Sequence, residues 1–440
     1  MNFPFAVQSG SDPDNRAANS GRLLNCYMEP VSADRMDVKS HLGTEDFATI
    51  PRSFCRAMAT VEGKLYAAQG GGLYCVESDG SVMLLGDIQD SAETTIAGNN
   101  GQVTVAAGGK YYVWNGSTLS QPSAGAFNGF GSVSFFKQRT FLTEKNGRWV
   151  QWSDSAAPSV LNGLSFATAE DGDDDTLRGV AFSGSYFVFK QNSIEAWGAR
   201  GADFQGLPGA TVDKGLKAFN LITRVPNGVF FVSSDNMAMT FGGGTPDRVS
   251  NVAVETSIKT EGPQSCVYFE DEGHKFCAIL FDQRPAWVYD FATNMWSERA
   301  EGNDLGPWSA KAAASAYGEF FIGTDSGKVL KLTRNNADAS GELVRRIVSR
   351  TLENEGKSFT VPLVKLRAKT GFDDDPQVVM QTSGDGGLTW GAPRQQGLGA
   401  IGQTSKQIEF RALGWFEERF TMQLTVSDPA DVTFSATAFV

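Results

Sequence analysis

Gly63-Lys64-Leu65-Tyr66-Ala67-Ala68-Gln69-Gly70-Gly71-Gly72-Leu73-Tyr74-Cys75-Val76 carries the architecture of this chain. Two apolar runs of strand length flank three glycines, and glycine supplies the positive φ that a tight hairpin turn requires. A second turn signal, Ser78-Asp79-Gly80-Ser81, follows at once. The same unit recurs near Gly101 (Val103-Thr104-Val105, then Tyr111-Tyr112-Val113-Trp114) and near Arg139 (Phe141-Leu142, then Trp149-Val150-Gln151-Trp152). Further copies begin near Ser185 (Tyr186-Phe187-Val188-Phe189), Gly228 (Val229-Phe230-Phe231-Val232), Lys275 (Phe276 to Phe281) and Gly318 (Phe320-Phe321-Ile322). About seven units at roughly 40–47-residue spacing match the period of four-stranded propeller blades. A blade with two apolar faces is unstable alone, whereas blades fanned about an axis bury both faces and leave only short edges.

The chain therefore reads as all-β, with a β-propeller of six to eight blades, seven favoured, over residues 51–338. The alternative is a series of β-meanders packed in sandwiches, but the period holds across the region without a helical interval. After Asn335-Asn336-Ala337-Asp338 the strands lengthen and alternate, as in Leu363-Val364-Lys365-Leu366-Arg367 and Phe420-Thr421-Met422-Gln423-Leu424. This pattern suits a C-terminal antiparallel β-sandwich over 339–440. Residues 1–50 read as an N-terminal arm with loop-formers from Ser9 to Asn15 and a first strand over Leu23-Leu24-Asn25-Cys26-Tyr27.

Composition narrows the function classes. The 440 residues include 49 glycines and 31 phenylalanines, and 50 acids against 38 bases leave a net charge of −12. Gripping nucleic acid by its phosphates needs clustered Lys and Arg, and no such run occurs. The longest core-like apolar run, Phe276 to Phe281, is too short to span a bilayer. The N-terminus, Met1-Asn2-Phe3-Pro4-Phe5-Ala6, lacks the basic and apolar regions of a secretory signal. Five scattered cysteines (Cys26, Cys55, Cys75, Cys266, Cys277) read as reduced core residues, and two histidines are few for a zinc or Ser-His-Asp site.

Four local motifs need weighing. Gly397-Leu398-Gly399-Ala400-Ile401-Gly402 matches a dinucleotide fingerprint by letter, but Pro393-Arg394-Gln395-Gln396 is no apolar strand and no helix follows, so it reads as a glycine turn. Glu170-Asp171-Gly172-Asp173-Asp174-Asp175 and Asp373-Asp374-Asp375 depart from EF-hand spacing and read as solvated loops. His274, in Asp271-Glu272-Gly273-His274-Lys275, reads as a surface histidine on a hairpin turn. The most specific string is Ser383-Gly384-Asp385-Gly386-Gly387-Leu388-Thr389-Trp390, an S-x-D-x-G-x-T-W Asp box. There the Asp accepts backbone N–H bonds across the turn, the glycine takes positive φ and the Trp packs beneath. Ser383, Asp385, Gly387, Thr389 and Trp390 are thus structural candidates. No residue is assigned a catalytic, cofactor-binding or metal-binding role, and no cofactor is expected.

The C-terminal order Ser383-x-Asp385-Gly386-Gly387-x-Thr389-Trp390, then Arg394, Gly399, Gly402, Arg411-x-x-Gly414, Arg419-Phe420 and Ser427-Asp428-Pro429, resembles the end of a known family. It is that of the packaged-DNA stabilisation, or tail-hub (nozzle), proteins of short-tailed bacteriophages. Asn25-Cys26-Tyr27-Met28-Glu29-Pro30 is similar to the same family's opening, while Gly43-Thr44-Glu45-Asp46-Phe47 departs from its "TPG" turn. The resemblance implies a structural virion protein of the phage tail, made in the host cytoplasm, and not an enzyme. It implies a homo-oligomeric ring, a hexamer in the family, that continues the DNA channel below the portal and adaptor and retains packaged DNA. Fibres or spikes and a plug or needle are the further partners, and double-stranded DNA passes without sequence-specific binding. The acidic balance agrees with a lumen along which DNA slides. The other reading is a carbohydrate-binding or sialidase-like β-propeller, suggested by the Asp box.

Overall fold

The computed structural model describes residues 2–10, 21–33, 35–123, 127, 129–201 and 203–439. Lys64–Gln69 and Gly72–Val76 pair antiparallel, closing Gln69 against Gly72 over Gly70 and Gly71. Those two glycines have φ of 49° and 76°, the conformation of a type I′ hairpin turn. A Cβ at Gly70 would lie 2.5 Å from the Ser53 carbonyl oxygen, so close approach and backbone angle both demand glycine. Cys55–Val61 flanks this hairpin on one side and Val82–Asp87 on the other, completing a four-stranded blade.

Among the described residues the motif repeats to give seven blades. Blade 1 is 55–87, blade 2 is 94–120, blade 3 is 130–168, blade 4 is 176–212, blade 5 is 222–248 and blade 6 is 265–299. Blade 7 takes three strands from 310–333 and its fourth from the N-terminal Gly43–Thr49, which pairs antiparallel with Lys328–Thr333. The beginning of the chain thus closes the ring. The innermost strands of neighbouring blades touch around the axis, and Thr95 Oγ1 accepts the Val133 amide while Ser132 Oγ accepts that of Gly179. Between blades 3 and 4, Phe141 packs on Tyr186 and Phe204 with ring centres 4.7 and 4.8 Å apart. Each such buried ring contributes about 1.5–3 kcal/mol of apolar burial, so the middle strands hold the ring together.

The sandwich packs Phe359–Leu366, Ile408–Phe416, Thr437–Phe439 and Asn2–Pro4 against a sheet of Arg345–Val348, Arg419–Val426, Gln377–Ser383 and Arg394–Gly397. Phe3, Val364, Met380, Phe410, Phe420 and Met422 fill its core. Arg22–Leu24 joins the two architectures. It runs parallel to Met295–Arg299 of blade 6 at Leu24↔Glu298 and antiparallel to Arg345–Val348 of the sandwich at Leu23↔Ile347. Blade 6 and one sandwich layer are therefore a single continuous sheet.

Three expectations need correction. The strand expected over Leu23 to Tyr27 is broken at Asn25, whose φ is 55°, and the first fifty residues divide among the sandwich, the bridge, a Cys26–Ser32/Arg35–Ser40 hairpin and blade 7. An α-helix, Val252–Glu261, does interrupt the repeat between blades 5 and 6. Asn251 caps it, its side chain accepting the Val254 amide at 3.0 Å, and Gly262 ends it at φ 65°. Its buried face is Ala253, Val254, Ser257 and Ile258, too mixed to announce itself as an apolar stripe. His274 is buried, not a surface residue, because two carboxylates face it. The loop-formers expected from Ser9 to Asn15 lie, beyond Gly10, outside the described residues. No helix among the described residues is long and apolar enough to cross a membrane.

Candidate functional site

The Asp box is built by bonds that never leave its own turn. Asp385 Oδ1 accepts the amides of Leu388 and Thr389 at 2.9 and 3.0 Å, and Oδ2 accepts the Thr389 hydroxyl at 2.6 Å. Ser383 Oγ donates to Asp385 at 2.7 Å and accepts the Gly387 amide at 2.8 Å. The Thr389 hydroxyl and amide and the Ser383 hydroxyl hold the Asp385 carboxyl well below the usual carboxylate range. Gly386 and Gly387 take φ of 76° and 93°. A Cβ on Gly387 would stand 3.2 Å from the Trp390 ring, which shows that the indole lies against this backbone. The five candidates therefore converge on one hairpin.

That hairpin faces the joint between the two architectures. Gly387, Leu388 and Trp390 line a groove of about 550 Å³ with Arg22, Arg284 and Glu298 on the propeller side. Glu298 is 2% exposed and is gripped by Arg22 through two bonds of 2.8 and 2.7 Å and by Arg284 at 3.1 Å. Burial alone would raise its pKa, but the two guanidiniums outweigh burial and hold it below its ordinary value. Arg284 also lies over the Trp287 ring at 4.5 Å.

A second buried cluster ties four segments together. Arg299 of blade 6 pairs with Asp338, Asn25 Oδ1 accepts Arg299 Nη1 at 3.1 Å and the Ala300 amide at 2.8 Å, and Thr44 Oγ1 donates to Asp338 at 3.2 Å. Nearby, Tyr27 sits between His41 and His274, with ring centres 5.2 and 4.9 Å away. His274 Nδ1 is 2.8 Å from Asp290 and Nε2 is 3.4 Å from Glu29. The hydrogen bond to Asp290 outweighs burial and raises the His274 pKa, whereas burial, reinforced by Arg299, drives that of His41 well down. Asn25, Tyr27, Glu29, Thr44, His274 and Asp338 stand in strings read from the sequence, but none of these residues was assigned to a joint there. Their partners lie far along the chain, and Arg and Glu beside a strand end carry no local signature.

The remaining motifs are structural in place. Asp375 accepts the Gly399 amide at 2.6 Å, so the Gly397–Gly402 string is a turn pinned to the second acidic run. In the first run, Asp174 accepts the Asn192 amide and Asp171 the Thr211 hydroxyl, and among the described residues no cluster of three His, Cys, Asp or Glu could hold a metal. The five cysteines are buried and unbonded to one another, and burial pushes their thiols up, Cys75 to about 11.

Comparison with known proteins agrees with this division. Residues 23–337 match the family described as bacteriophage P22 Gp10, beta-propeller, and residues 344–439 match bacteriophage P22 Gp10, beta-sandwich. No curated protein matches the chain. Among solved structures, one chain of a mitotic checkpoint complex is 12% identical with a TM-score of 0.47, over 69% of this chain and 94% of its own. The designed protein Ika8 is 11% identical with a TM-score of 0.41, over 66% and 99%. BamB from Moraxella catarrhalis is 11% identical with a TM-score of 0.42, over 76% and 98%. Those likenesses are too low to carry any argument about function. The match through propeller and sandwich alike means that the chain belongs to the bacteriophage P22 Gp10 family, phage structural proteins that stabilise packaged DNA.

Proposed function

We propose that the protein is a tail hub of a short-tailed phage virion. Copies assemble head to tail into a closed ring, six by resemblance to the family, below the portal and adaptor. The ring prolongs the DNA channel, holds the genome in place and carries fibres or spikes outside, with a plug or needle at its end. The family match across both architectures carries this reading. The continuous sheet through Arg22–Leu24 supports it, because propeller and sandwich then move as one rigid part of a ring. The net charge of −12 supports it as well, since an acidic wall repels the duplex and lets it slide. The product of the protein is geometry, with no chemical step, and Asp385 and Trp390 serve as the staple of the C-terminal hairpin. Electron microscopy of the purified chain, alone and with its adaptor, tests the proposal. A six-fold ring in either sample is the expected result, and monomers in both would overturn it.

A further inference from the structure

The axis of the propeller is balanced in charge, but its rim is uneven. The open axial cavity, about 1290 Å³, is lined by four carboxylates and four cations and makes no net demand on a ligand. The outermost strands differ from blade to blade. Such a strand leaves a row of backbone groups unpaired, and a chain shields that edge by shortness, by charge or by a cover. Blades 2 and 5 end in two-residue strands, Leu119–Ser120 and Asp247–Arg248. Blade 6 is covered by Arg22–Leu24, and blade 7 carries Glu45 and Asp46 on Gly43–Thr49, each paired with a lysine at 2.9 Å.

Blades 3 and 4 lack these devices. Their outermost strands, Ala157–Thr168 and Asp203–Val212, run for 12 and 10 residues with Asp203 as the only charge, and they pack on each other. Both loop out four residues at the same place in the ladder. Residues 162–165 leave it between Gln151↔Phe166 and Ser153↔Leu161, and residues 207–210 between Glu195↔Thr211 and Trp197↔Gly206. These loop-outs break the edge to strand addition, so whatever docks there uses side chains. A loop-out that only blunted the edge would carry a polar tip, whereas this one carries Leu164. Asn162 Oδ1 accepts the Leu164 amide at 3.0 Å, which fixes the side chain outward at 86% exposure. Val160 and Leu207 are exposed too. The charges at the ends of Ala157–Thr168 are paired, Arg139 with Asp154 at 4.0 Å and Arg148 with Asp173 at 3.0 Å, as on the polar rim of an interface. The face measures roughly 30 Å by 20 Å, on the order of 600 Å² against the about 800 Å² per partner of a standard interface.

A closed head-to-tail ring, the reading on which this inference rests, needs a second and different face on each copy. Among the described residues, the other outermost strand with exposed large apolar side chains is Val82–Asp87 of blade 1. Its Met83 and Leu84 are about half exposed, and its Asp87 is held by Arg52 at 2.7 Å. Seven blades stand about 51° apart, so blade 1 lies about 130° from the seam between blades 3 and 4. The two neighbours of a copy in a ring of about five to eight lie about 110–135° apart. With −12 on every copy, contact between copies is favoured where neither surface carries free charge. We infer that the uncharged face of blades 3 and 4, centred on Leu164, docks on Met83 and Leu84 of blade 1 in the next copy of this chain.

Sedimentation velocity of the full chain, alone and with its adaptor, reads ring formation in wild type and variants. Leu164→Asp and Leu84→Asp should each weaken association about tenfold or more, with the melting temperature unchanged because both side chains meet solvent in the single chain. Ile401→Asp, exposed on the sandwich, should leave the ring intact. A bis-maleimide should join copies carrying Leu84→Cys to copies carrying Leu164→Cys, and neither kind to itself, since the five native cysteines are buried. If an aspartate variant does not fold, this cross-link decides. Wild-type monomers in both samples would sink the ring reading and this inference together. A wild-type ring that survives both aspartates, or in which Leu164→Cys copies join one another, would overturn the inference and leave the ring standing.

Discussion

Arg299 and Asp338 face each other at the end of blade 6, each side chain 1% exposed, with Asn25 and Thr44 filling the remaining donor and acceptor positions. A buried pair of this kind adds little over an apolar one, yet breaking it strands a charge away from water. Asp338→Ala should therefore destabilise the protein by about 3–5 kcal/mol, read by urea unfolding. A loss below about 1 kcal/mol would show that water reaches Arg299.

The Asp box predicts a smaller and more local loss. Asp385→Ala should cost about 1–2 kcal/mol, at the low end because the turn meets solvent. The amides of Leu388 and Thr389 should lose hydrogen-exchange protection while the propeller keeps its own. The carboxyl titrates below its ordinary 3.8 in the fold. Its contribution is thus present above that value and is lost as pH falls through the folded pKa. An unchanged melting profile would remove the staple role.

The two histidines predict opposing pH dependence. His274 has a folded pKa above 6.5, so its contribution is fully present below 6.5 and fades as pH rises through the folded value. His41 is depressed by burial, so its contribution is present above 6.5 and fades as pH falls below it. In His41→Gln, stability should therefore drop on going from pH 6 to pH 8. In His274→Gln it should drop in the other direction. Melting temperatures measured across that window check both signs.

Gly327 guards the closure of the ring. Its φ is 91°, its carbonyl accepts the Ile50 amide at 2.8 Å, and a Cβ there would lie 2.4 Å from the Ile50 carbonyl oxygen. Gly327→Ala should destabilise by about 1–3 kcal/mol. Exchange at Lys328–Thr333 should accelerate first, because that strand holds Gly43–Thr49 in place.

The sequence revealed the blades through their middle strands. Pairs such as Lys64–Gln69 with Gly72–Val76 are buried on both faces, so they appear as dense apolar runs around a glycine turn. The flanking strands were silent. Ala310–Ala316, A-K-A-A-A-S-A, lines the axial cavity and needs small residues more than apolar ones. Gly43–Thr49 carries Glu45 and Asp46 because one side of it meets water, so nothing in it announces a closing strand. The Asp box was legible because its bonds span few residues. The Arg22–Glu298 and Arg299–Asn25 contacts were not, since each joins positions more than 270 residues apart.

The strand Gly43–Thr49 has a consequence for synthesis. It leaves the ribosome long before Lys328–Thr333, its eventual partner, exists. At about 5–20 residues per second the nascent chain must carry it unpaired for on the order of ten to sixty seconds. Glu45 and Asp46 are then more than surface decoration, because like charges on an idle strand discourage it from zipping onto the same segment of a neighbouring polysome product.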